Sequence, residues 1–239
     1  MERIIVENVS KRFRIGFKRN QGFLARLIDF FSGKEPKKEI WALKNVSFNA
    51  KAGEVVGIIG ENGSGKSTLL RAIAGIYDYS GEIKTNGKII SLINLNAGLQ
   101  SRLTMKDNIF LCCSLFGISQ KGIKQKFNSI VEFSELGNFV DTKLYQFSNG
   151  MLQRLAFSIA AHCNPEILLL DEVFEVGDES FRIKSANKIK EITKKNGTGI
   201  LVSHDLEMIE KHCDKVVLID KGEIIKEGKA KEIVKRYKK

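Results

Sequence analysis

The segment Gly60–Ser67 has the residue types and spacing of a phosphate-binding loop. It reads Gly-Glu-Asn-Gly-Ser-Gly-Lys-Ser and matches the pattern G-x-x-x-x-G-K-[ST] in full. Glycines allow backbone N–H groups to converge on phosphate oxygens, and the N-terminus of the following helix adds positive potential. We expect Lys66 to contact the β- and γ-phosphates of a nucleotide and the Ser67 hydroxyl to ligate Mg²⁺. The residues predicted to bind the nucleotide in this segment are Gly60, Glu61, Asn62, Gly63, Ser64, Gly65, Lys66, Ser67 and Thr68.

Two adjacent acids, Asp171 and Glu172, follow the aliphatic run 167–170, which has the pattern of a buried strand. Because side chains alternate along a strand, the two carboxylates point in different directions and can have different roles. Asp171 suits the Mg²⁺ shell, whereas Glu172 suits a general base that takes a proton from the attacking water. The alternative is a solvated strand end, and the phosphate-binding loop upstream favours the functional interpretation.

Short aliphatic runs separated by helical segments surround these motifs and predict an α/β fold with a parallel sheet covered on both faces. We expect strands at 3–9, 46–48, 54–59, 167–170, 199–202 and 215–219, and a helix from Lys66 to about Ala74. Asn86-Gly87 predicts a type I′ hairpin between 82–85 and 88–93. Residues 104–164 are helical in pattern, with Thr104 and Ser148 as helix caps. The layout is one domain, 1–239, in which an α/β lobe (1–94 and 164–239) is interrupted by a helical lobe (95–163).

The chain has 39 Lys and Arg against 28 Asp and Glu, a formal net charge of +11. Such a surface suits nucleic acid, nucleotides or the anionic leaflet of a membrane, and charge alone does not choose among them. The pairs His162-Cys163 and His212-Cys213 suggest a metal site, but the spacings typical of such sites are missing, which favours core residues. No apolar run approaches the ~20 residues that span a bilayer, so we expect a soluble or peripheral protein.

The segment 147–154 precedes the acid pair by a short gap and resembles the signature motif of ABC ATPases. With this segment, the sequence resembles that family over essentially its whole length. The common signature begins Leu-Ser-Gly-Gly-Gln; Ser148 and Gly150 match it, whereas the residues around them differ. In the family this segment opens a helix whose N-terminus contacts the γ-phosphate held by the other subunit, and a serine cap followed by glycine suits that contact.

The resemblance extends to further residues in the expected order. It implies a RecA-like P-loop NTPase core with an antiparallel β subdomain and an inserted helical subdomain, and it implies ATP and Mg²⁺ as ligands. His204 corresponds to the switch histidine that touches the γ-phosphate, and Asp178 falls in the loop that crosses the dimer interface. Phe13 resembles the aromatic residue that stacks on adenine, with Phe17 and Trp41 as alternatives.

One residue of the family pattern is missing. The family usually has a glutamine between the two lobes, shortly before the positions of Leu103-Thr104, and Gln100 is too close to Thr104 to fit. Asn94 or Asn96 takes that role, or the role is lost.

At three places the sequence departs from the common family pattern and resembles the ATPases that export bacterial cell-surface polysaccharides such as O-antigen, capsule and teichoic acid. They are the extra stretch 15–39, the glutamine-poor segment 93–98 and the sequence 171–178. The chain stops at Lys239, so it resembles the short form without a carbohydrate-binding domain. The alternatives are an exporter of another lipid or drug, a soluble ABC protein that acts on ribosomes or DNA, and a phosphate-loop kinase, which would not need 147–154 or His204.

The resemblance also implies partners. We expect a head-to-tail homodimer that buries two ATP molecules, a separate integral membrane permease, and a peripheral location on the cytoplasmic side of the cell membrane. No nucleic acid is expected as a partner. The stretch 15–39 combines an apolar helical face at 23–31 with flanking cations, which suggests contact with the permease or the lipid surface. Packing of this stretch on its own subunit is the alternative.

Overall fold

A computed structural model of the chain describes residues 1–14, 39–93, 98–171 and 179–238. Nearly all of the stretch 15–39, including Phe17, lies outside these ranges. Asn94, Asn96, Glu172 and Asp178 lie outside them as well. The roles predicted for these residues remain predictions.

The described residues form two sheets and a set of helices. The strands are β1 Glu2–Arg14, β2 Glu39–Lys51, β3 Val55–Ile59, β4 Ser80–Thr85, β5 Ile89–Leu92, β6 Ile167–Asp171, β7 Thr198–Val202, β8 Lys215–Asp220 and β9 Glu223–Lys229. The helices are α1 Lys66–Ile73, α2 Met105–Leu115, α3 Gln120–Ser134, α4 Asn149–His162, α5 Glu179–Lys194, α6 Leu206–His212 and α7 Ala230–Tyr237. Short 3₁₀ turns at Gly137–Phe139 and Leu144–Gln146 connect α3 to α4.

The larger sheet has six strands in the order β5-β6-β7-β3-β8-β9. Its neighbours from β5 to β8 run parallel, and only the edge strand β9 is antiparallel. All residues of β3 and β7 are buried, as expected for parallel strands covered on both faces. The smaller sheet, β2-β1-β4, is antiparallel. The predicted parallel core and antiparallel β subdomain are therefore confirmed.

The six-stranded sheet separates two hydrophobic cores, as the alternation of side chains along β3 shows. Val55 and Ile59 point into a core that also contains residues of α2–α7. Val56 and Ile58 point into the other core, with residues of β1, β2 and α1. Because period-two alternation sends neighbouring residues to opposite faces, one short strand anchors both layers.

The predicted hairpin at Asn86-Gly87 is wrong. β4 pairs with β1 in the small sheet, whereas β5 pairs with β6 in the large one, so the chain crosses between sheets at this point. The Asn86 N–H donates to the Arg3 carbonyl (2.8 Å), and the Arg3 guanidinium donates to the Asn86 carbonyl (2.8 Å). A Cβ at Gly87 would lie 2.8 Å from the Glu166 Cβ, so this glycine permits a close approach between segments.

Both predicted helix caps are confirmed. The Thr104 hydroxyl accepts from the Asp107 N–H (3.1 Å) and the Asp107 carboxylate accepts from the Thr104 N–H (3.4 Å), which forms a capping box at α2. The Ser148 hydroxyl accepts from the Met151 N–H (3.3 Å) at the start of α4. Satisfying the first-turn N–H groups in this way fixes where each helix begins.

The cysteine-containing pairs are parts of the core. All four cysteines are free and buried, and burial raises the pKa of Cys112 to about 11. Cys163 Sγ lies 3.5 Å from Cys113 Sγ, and His162 Nδ1 lies 2.7 Å from the Ser158 carbonyl oxygen. Within the described ranges, no group of three or more His, Cys, Asp or Glu residues could hold a metal ion. The same residues contain no helix with both the length and the hydropathy that a membrane span requires.

Candidate nucleotide-binding site

The loop Gly60–Ser67 joins the end of β3 to the start of α1, which confirms the predicted strand–loop–helix context. A Cβ at Gly60 would lie 2.0 Å from the Ile219 carbonyl oxygen, and one at Gly65 would lie 2.5 Å from the Ala42 carbonyl oxygen. A Cβ at Gly63 would meet nothing within 4 Å. One side of the loop, its rear, therefore packs tightly against β8 and β2. The tip of the loop is open, and Glu61, Asn62 and Gly63 are exposed there.

The start of α1 leaves backbone donors available. Gly65 caps the helix in a left-handed conformation (φ 112°), and no side chain of the described residues accepts from the first turn. Uncapped N–H groups at a helix start attract anions, because the groups lack intrahelical partners and the helix dipole is positive there. Thr68 lies half-buried within this first turn.

A buried cation spans the loop. Lys66 is only 5% exposed, and its ammonium donates to the carbonyls of Gly60 and Glu61 at 2.8 Å each. The buried hydroxyl of Ser64 has no hydrogen-bond partner among the described residues. Unsatisfied buried polar groups cost about 1–3 kcal/mol and need an explanation. A buried cation, free helix amides and an unsatisfied hydroxyl around one loop fit a polyphosphate ligand.

The two residues predicted to ligate Mg²⁺ meet in the structure. The Ser67 hydroxyl donates to Asp171 Oδ1 at 3.1 Å, although the two residues are 104 positions apart. Ser67 lies in the first turn of α1, and Asp171 is the last residue of β6. Hydroxyl and carboxylate oxygens are ligands that Mg²⁺ takes, so this pair fits the ion, which would neutralise phosphate charge here.

The carboxyl ends of three neighbouring strands bring the predicted residues to one edge of the sheet. In the order β6-β7-β3, Asp171 ends β6, His204 follows the end of β7, and Gly60 follows β3. Val202 of β7 pairs with both Asp171 and Ile58, which aligns these ends. His204 is exposed at this edge. Because ligands of open α/β sheets bind outside the carboxyl ends of the strands, this edge is the candidate binding site.

Phe13 lies at the end of β1, beside the strand that contacts the phosphate-binding loop. It pairs with Ile40 of β2, two positions before Ala42, whose carbonyl abuts Gly65. The Phe13 ring packs edge-on against Tyr77 at 5.4 Å between centroids. Phe13 therefore lies near the phosphate-binding loop, and its contact with adenine remains a prediction.

A cation holds the Phe13 ring in place. The Lys11 ammonium lies 5.1 Å from the Phe13 centroid and 5.6 Å from that of Tyr77. The same ammonium donates to Asp78 at 2.6 Å, and this hydrogen bond lowers the pKa of that carboxyl. Trp41, the alternative adenine contact, is 49% exposed. The sequence does not single out Tyr77, because its contact with Phe13 depends on how β1 meets the chain after α1.

The signature residues lie at an open helix start. Ser148 and Asn149 are exposed, and a Cβ at Gly150 would have only ordinary contact, 3.9 Å from the Ser148 hydroxyl. Among the described residues, no hydrogen bond joins 148–150 to the phosphate-binding loop. The structure therefore does not bring these residues to the site within one subunit.

Gln100 is held by its backbone. Its N–H donates to Asn108 Oδ1 at 2.7 Å, and its carbonyl accepts from Asn108 Nδ2 at 3.1 Å. Asn108 is fully buried in α2. The side chain of Gln100 is exposed, and the residue that takes the place of the missing glutamine remains a prediction.

Comparisons with known proteins show which proteins the chain resembles. A family model described as ABC transporter matches residues 43–175. The teichoic acids export ATP-binding protein TagH of Lactococcus lactis is 42% identical over 209 residues, covering 87% of this chain and 45% of TagH. The O-antigen export system ATP-binding protein RfbB of Myxococcus xanthus is 37% identical, covering 100% of this chain and 56% of the relative. An RfbB of Klebsiella pneumoniae is 40% identical, covering 82% of this chain and 80% of the relative.

Solved structures give the same fold. The ATP-binding subunit of an ABC transporter aligns with a TM-score of 0.78 at 21% identity, covering 99% of this chain and 93% of that one. A dimeric ATP-binding cassette in a post-hydrolysis state, bound to ADP and Pi, aligns with a TM-score of 0.77 at 25% identity, covering 95% and 98%. The chain spans about half the length of the TagH and Myxococcus relatives. Since the family model matches more than half of the chain, and one relative at 40% identity is covered over four fifths of its length, the chain belongs to the ABC transporter family.

Proposed function

We propose that this chain is the ATP-binding and ATP-hydrolysing subunit of a system that exports a cell-surface polysaccharide through a separate membrane permease. The observation that carries the proposal is the contact of Ser67 with Asp171 beside the buried Lys66. A hydroxyl, a carboxylate and an ammonium at the carboxyl edge of a parallel sheet suit Mg²⁺ and the phosphates of ATP. Measuring Mg²⁺-dependent release of phosphate from ATP by the purified chain tests the enzymatic part.

Each residue has a definite part in hydrolysis. Lys66 neutralises charge on the β- and γ-phosphates, and Ser67 and Asp171 hold Mg²⁺. Glu172 accepts a proton as the water oxygen bonds to the γ-phosphorus and the bond to the ADP oxygen breaks. His204 contacts the γ-phosphate. The products are ADP and inorganic phosphate.

The site is completed by a second copy of the chain. The exposed start of α4, with Ser148 and Gly150, has its own helix-end amides to offer to a phosphate. Two copies arranged head to tail under twofold symmetry place each α4 start against the partner's ATP, and we expect Asp178 to contact the partner subunit in that dimer. ATP then shifts the population towards the closed dimer, and hydrolysis releases it. The dimeric cassette bound to ADP and Pi supports this arrangement.

Replacing Ser148 by arginine is expected to abolish the ATP-dependent dimer while leaving ATP binding to the monomer intact. The long cation would occupy the space that the partner's γ-phosphate needs. Size-exclusion chromatography in ATP, with hydrolysis blocked by Glu172→Gln, measures dimerisation, and nucleotide titration measures binding.

Ser119 provides a matched control for this variant. It caps α3 as Ser148 caps α4, with its hydroxyl accepting from the Gly122 N–H at 3.3 Å, and it is also exposed. Ser119→Arg therefore loses a cap of the same kind, worth about 0.5–2 kcal/mol, and is expected to dimerise. A Ser148→Arg protein that still dimerises in ATP would remove the signature role.

The polysaccharide assignment has its own support and its own test. The relatives are named for teichoic acid and O-antigen export, and O-antigen, capsule or teichoic acid is the substrate class we propose. The chain works peripherally on the cytoplasmic face of the membrane. Affinity purification from detergent-solubilised native membranes is expected to recover a polytopic permease, and depletion of the chain is expected to remove polysaccharide from the cell surface. Recovery of ribosomes or DNA in place of a permease would support the soluble alternative, which the net charge of +11 allows.

A further inference from the structure

We propose that the turn between β8 and β9, Lys221-Gly222, is a positioning element of the nucleotide site. It stands far from the phosphate-binding loop in sequence and belongs to none of the motifs above. The inference rests on the proposed function, since it takes 60–67 as the segment that binds ATP. Three observations carry it: the hydrogen bonds of Gly222, the steric closeness of three backbone segments, and the tight two-residue form of the turn.

The backbone of Gly222 bridges two segments. Its N–H donates to the Ser64 carbonyl at 2.8 Å, and its carbonyl accepts from the Lys44 N–H at 2.8 Å. One peptide unit of the turn is thus bonded to the phosphate-binding loop, and the next is bonded to β2. These two bonds connect segments that share no secondary structure.

The three backbones leave no room for side chains where they meet. A Cβ at Gly222 would lie 2.8 Å from the Ala42 carbonyl oxygen, which is also the atom that a Cβ at Gly65 would approach to 2.5 Å. A Cβ at Gly60 would lie 2.0 Å from the carbonyl oxygen of Ile219 in β8. The rear of the loop is therefore a surface formed by β2 and by the end of β8 with its turn.

The turn is tight and is held between two paired strands. Lys221 and Gly222 both have positive φ angles, 48° and 85°, and Asp220 pairs with Glu223, as in a two-residue type I′ hairpin. The two flanking strands are ladder-bonded to each other, and β8 is bonded to β3, which leads into the phosphate-binding loop. The Lys44–Glu223 ion pair at 3.3 Å is exposed and adds little.

Fixing the Ser64 carbonyl orients a donor towards the ligand. In a trans peptide the C=O and the following N–H point in opposite directions, and the described residues contain no cis peptide. Because the Ser64 carbonyl is bonded to Gly222 at the rear, the Gly65 N–H of the same peptide points away from the turn, towards the open side of the loop. The turn thereby sets the direction of one phosphate donor before ATP arrives, which is preorganisation of the site.

Gly222→Ala tests this inference against a matched control, Gly75→Ala. Gly75 also has a positive φ, 72°, but a Cβ there would meet nothing within 4 Å, so both variants strain the backbone and only one pushes on the loop's support. Loss of one well-oriented hydrogen bond is expected to raise the Kd for ATP about tenfold in Gly222→Ala, with less than about a twofold change in Gly75→Ala. Thermal unfolding without nucleotide is expected at a lower temperature in Gly222→Ala than in Gly75→Ala, because only Gly222→Ala adds a steric clash, so ATP binding is measured below both transitions.

A second variant covers the case in which Gly222→Ala does not fold. Asparagine tolerates positive φ better than alanine, so Gly222→Asn relieves strain but keeps the contact of its Cβ with Ala42. We expect the same weakening of ATP binding in Gly222→Asn. Folded Gly222 variants that bind ATP as the unmodified chain does would overturn the inference. Failure of the unmodified chain itself to bind ATP would instead refute the proposed function, so the two failures are distinguishable.

Discussion

Glu172→Gln is expected to lower the rate of multiple-turnover ATP hydrolysis by about 10²- to 10⁴-fold, the usual contribution of a general base. Glutamine keeps the shape and hydrogen bonding of the side chain but cannot accept the proton of the attacking water. ATP binding is expected to persist, so the closed dimer should accumulate in ATP and Mg²⁺. Phosphate release measures the first effect, and size-exclusion chromatography measures the second.

The control for this variant is the same chemical change at the other end of the same strand. Glu166 immediately precedes β6, so it lies at the end of the strand opposite the phosphate-binding loop. Its carboxylate forms an ion pair with Arg3 at 3.1 Å. Glu166→Gln is expected to hydrolyse ATP at close to the unmodified rate. Hydrolysis by Glu172→Gln at that same rate would show that another group accepts the proton.

Local signals in the sequence predicted local structure well, and pairing over long distances was where prediction failed. The phosphate-binding loop, the capping box at Thr104 and the cap at Ser148 are each encoded within a few residues, and all three form as expected. Asn86-Gly87 is an equally strong local signal for a hairpin, yet β5 finds its partner in β6, about 80 residues later. Pairing with β6 buries the apolar side chains of β5 in the central sheet, which a hairpin with the exposed β4 would not do.

In the candidate site, too, local motifs were predicted from the sequence and contacts between distant segments were not. Lys66, Ser67 and Asp171 could be proposed from the sequence because their side chains suit phosphate or Mg²⁺, and the structure places the Ser67 hydroxyl 3.1 Å from Asp171 Oδ1. Gly222 acts through its backbone N–H and C=O. Because every residue has a backbone C=O and nearly every residue has an N–H, the sequence does not show which of these groups form such bonds. The adenine contact depends on how the β1–β2 pair meets the chain after α1, so the sequence left it open.

Lys66→Ala is expected to raise the Kd for ATP by at least about a hundredfold. Lys66 is 5% exposed, and its ammonium donates to the carbonyls of Gly60 and Glu61 at 2.8 Å each. Hydrogen bonds to charged groups are worth about 1.5–3 kcal/mol each, and a buried cation facing two phosphates makes more than one. Titration with a nucleotide that is not hydrolysed measures the loss.

Two further variants serve as controls. One tests whether the charge of Lys66 or its packing matters, and the other tests whether removing a lysine elsewhere also weakens ATP binding. Lys66→Met keeps most of the side-chain volume and removes the charge, so it should weaken ATP binding as much as Lys66→Ala does. Lys215 lies at the start of β8, the end opposite the phosphate-binding loop, where its ammonium donates to the Asn49 carbonyl at 3.1 Å. Lys215→Ala is therefore expected to leave the Kd unchanged. ATP affinity near the unmodified value in both Lys66 variants would mean that this ammonium does not neutralise the phosphates, and the proposed site would fail with it.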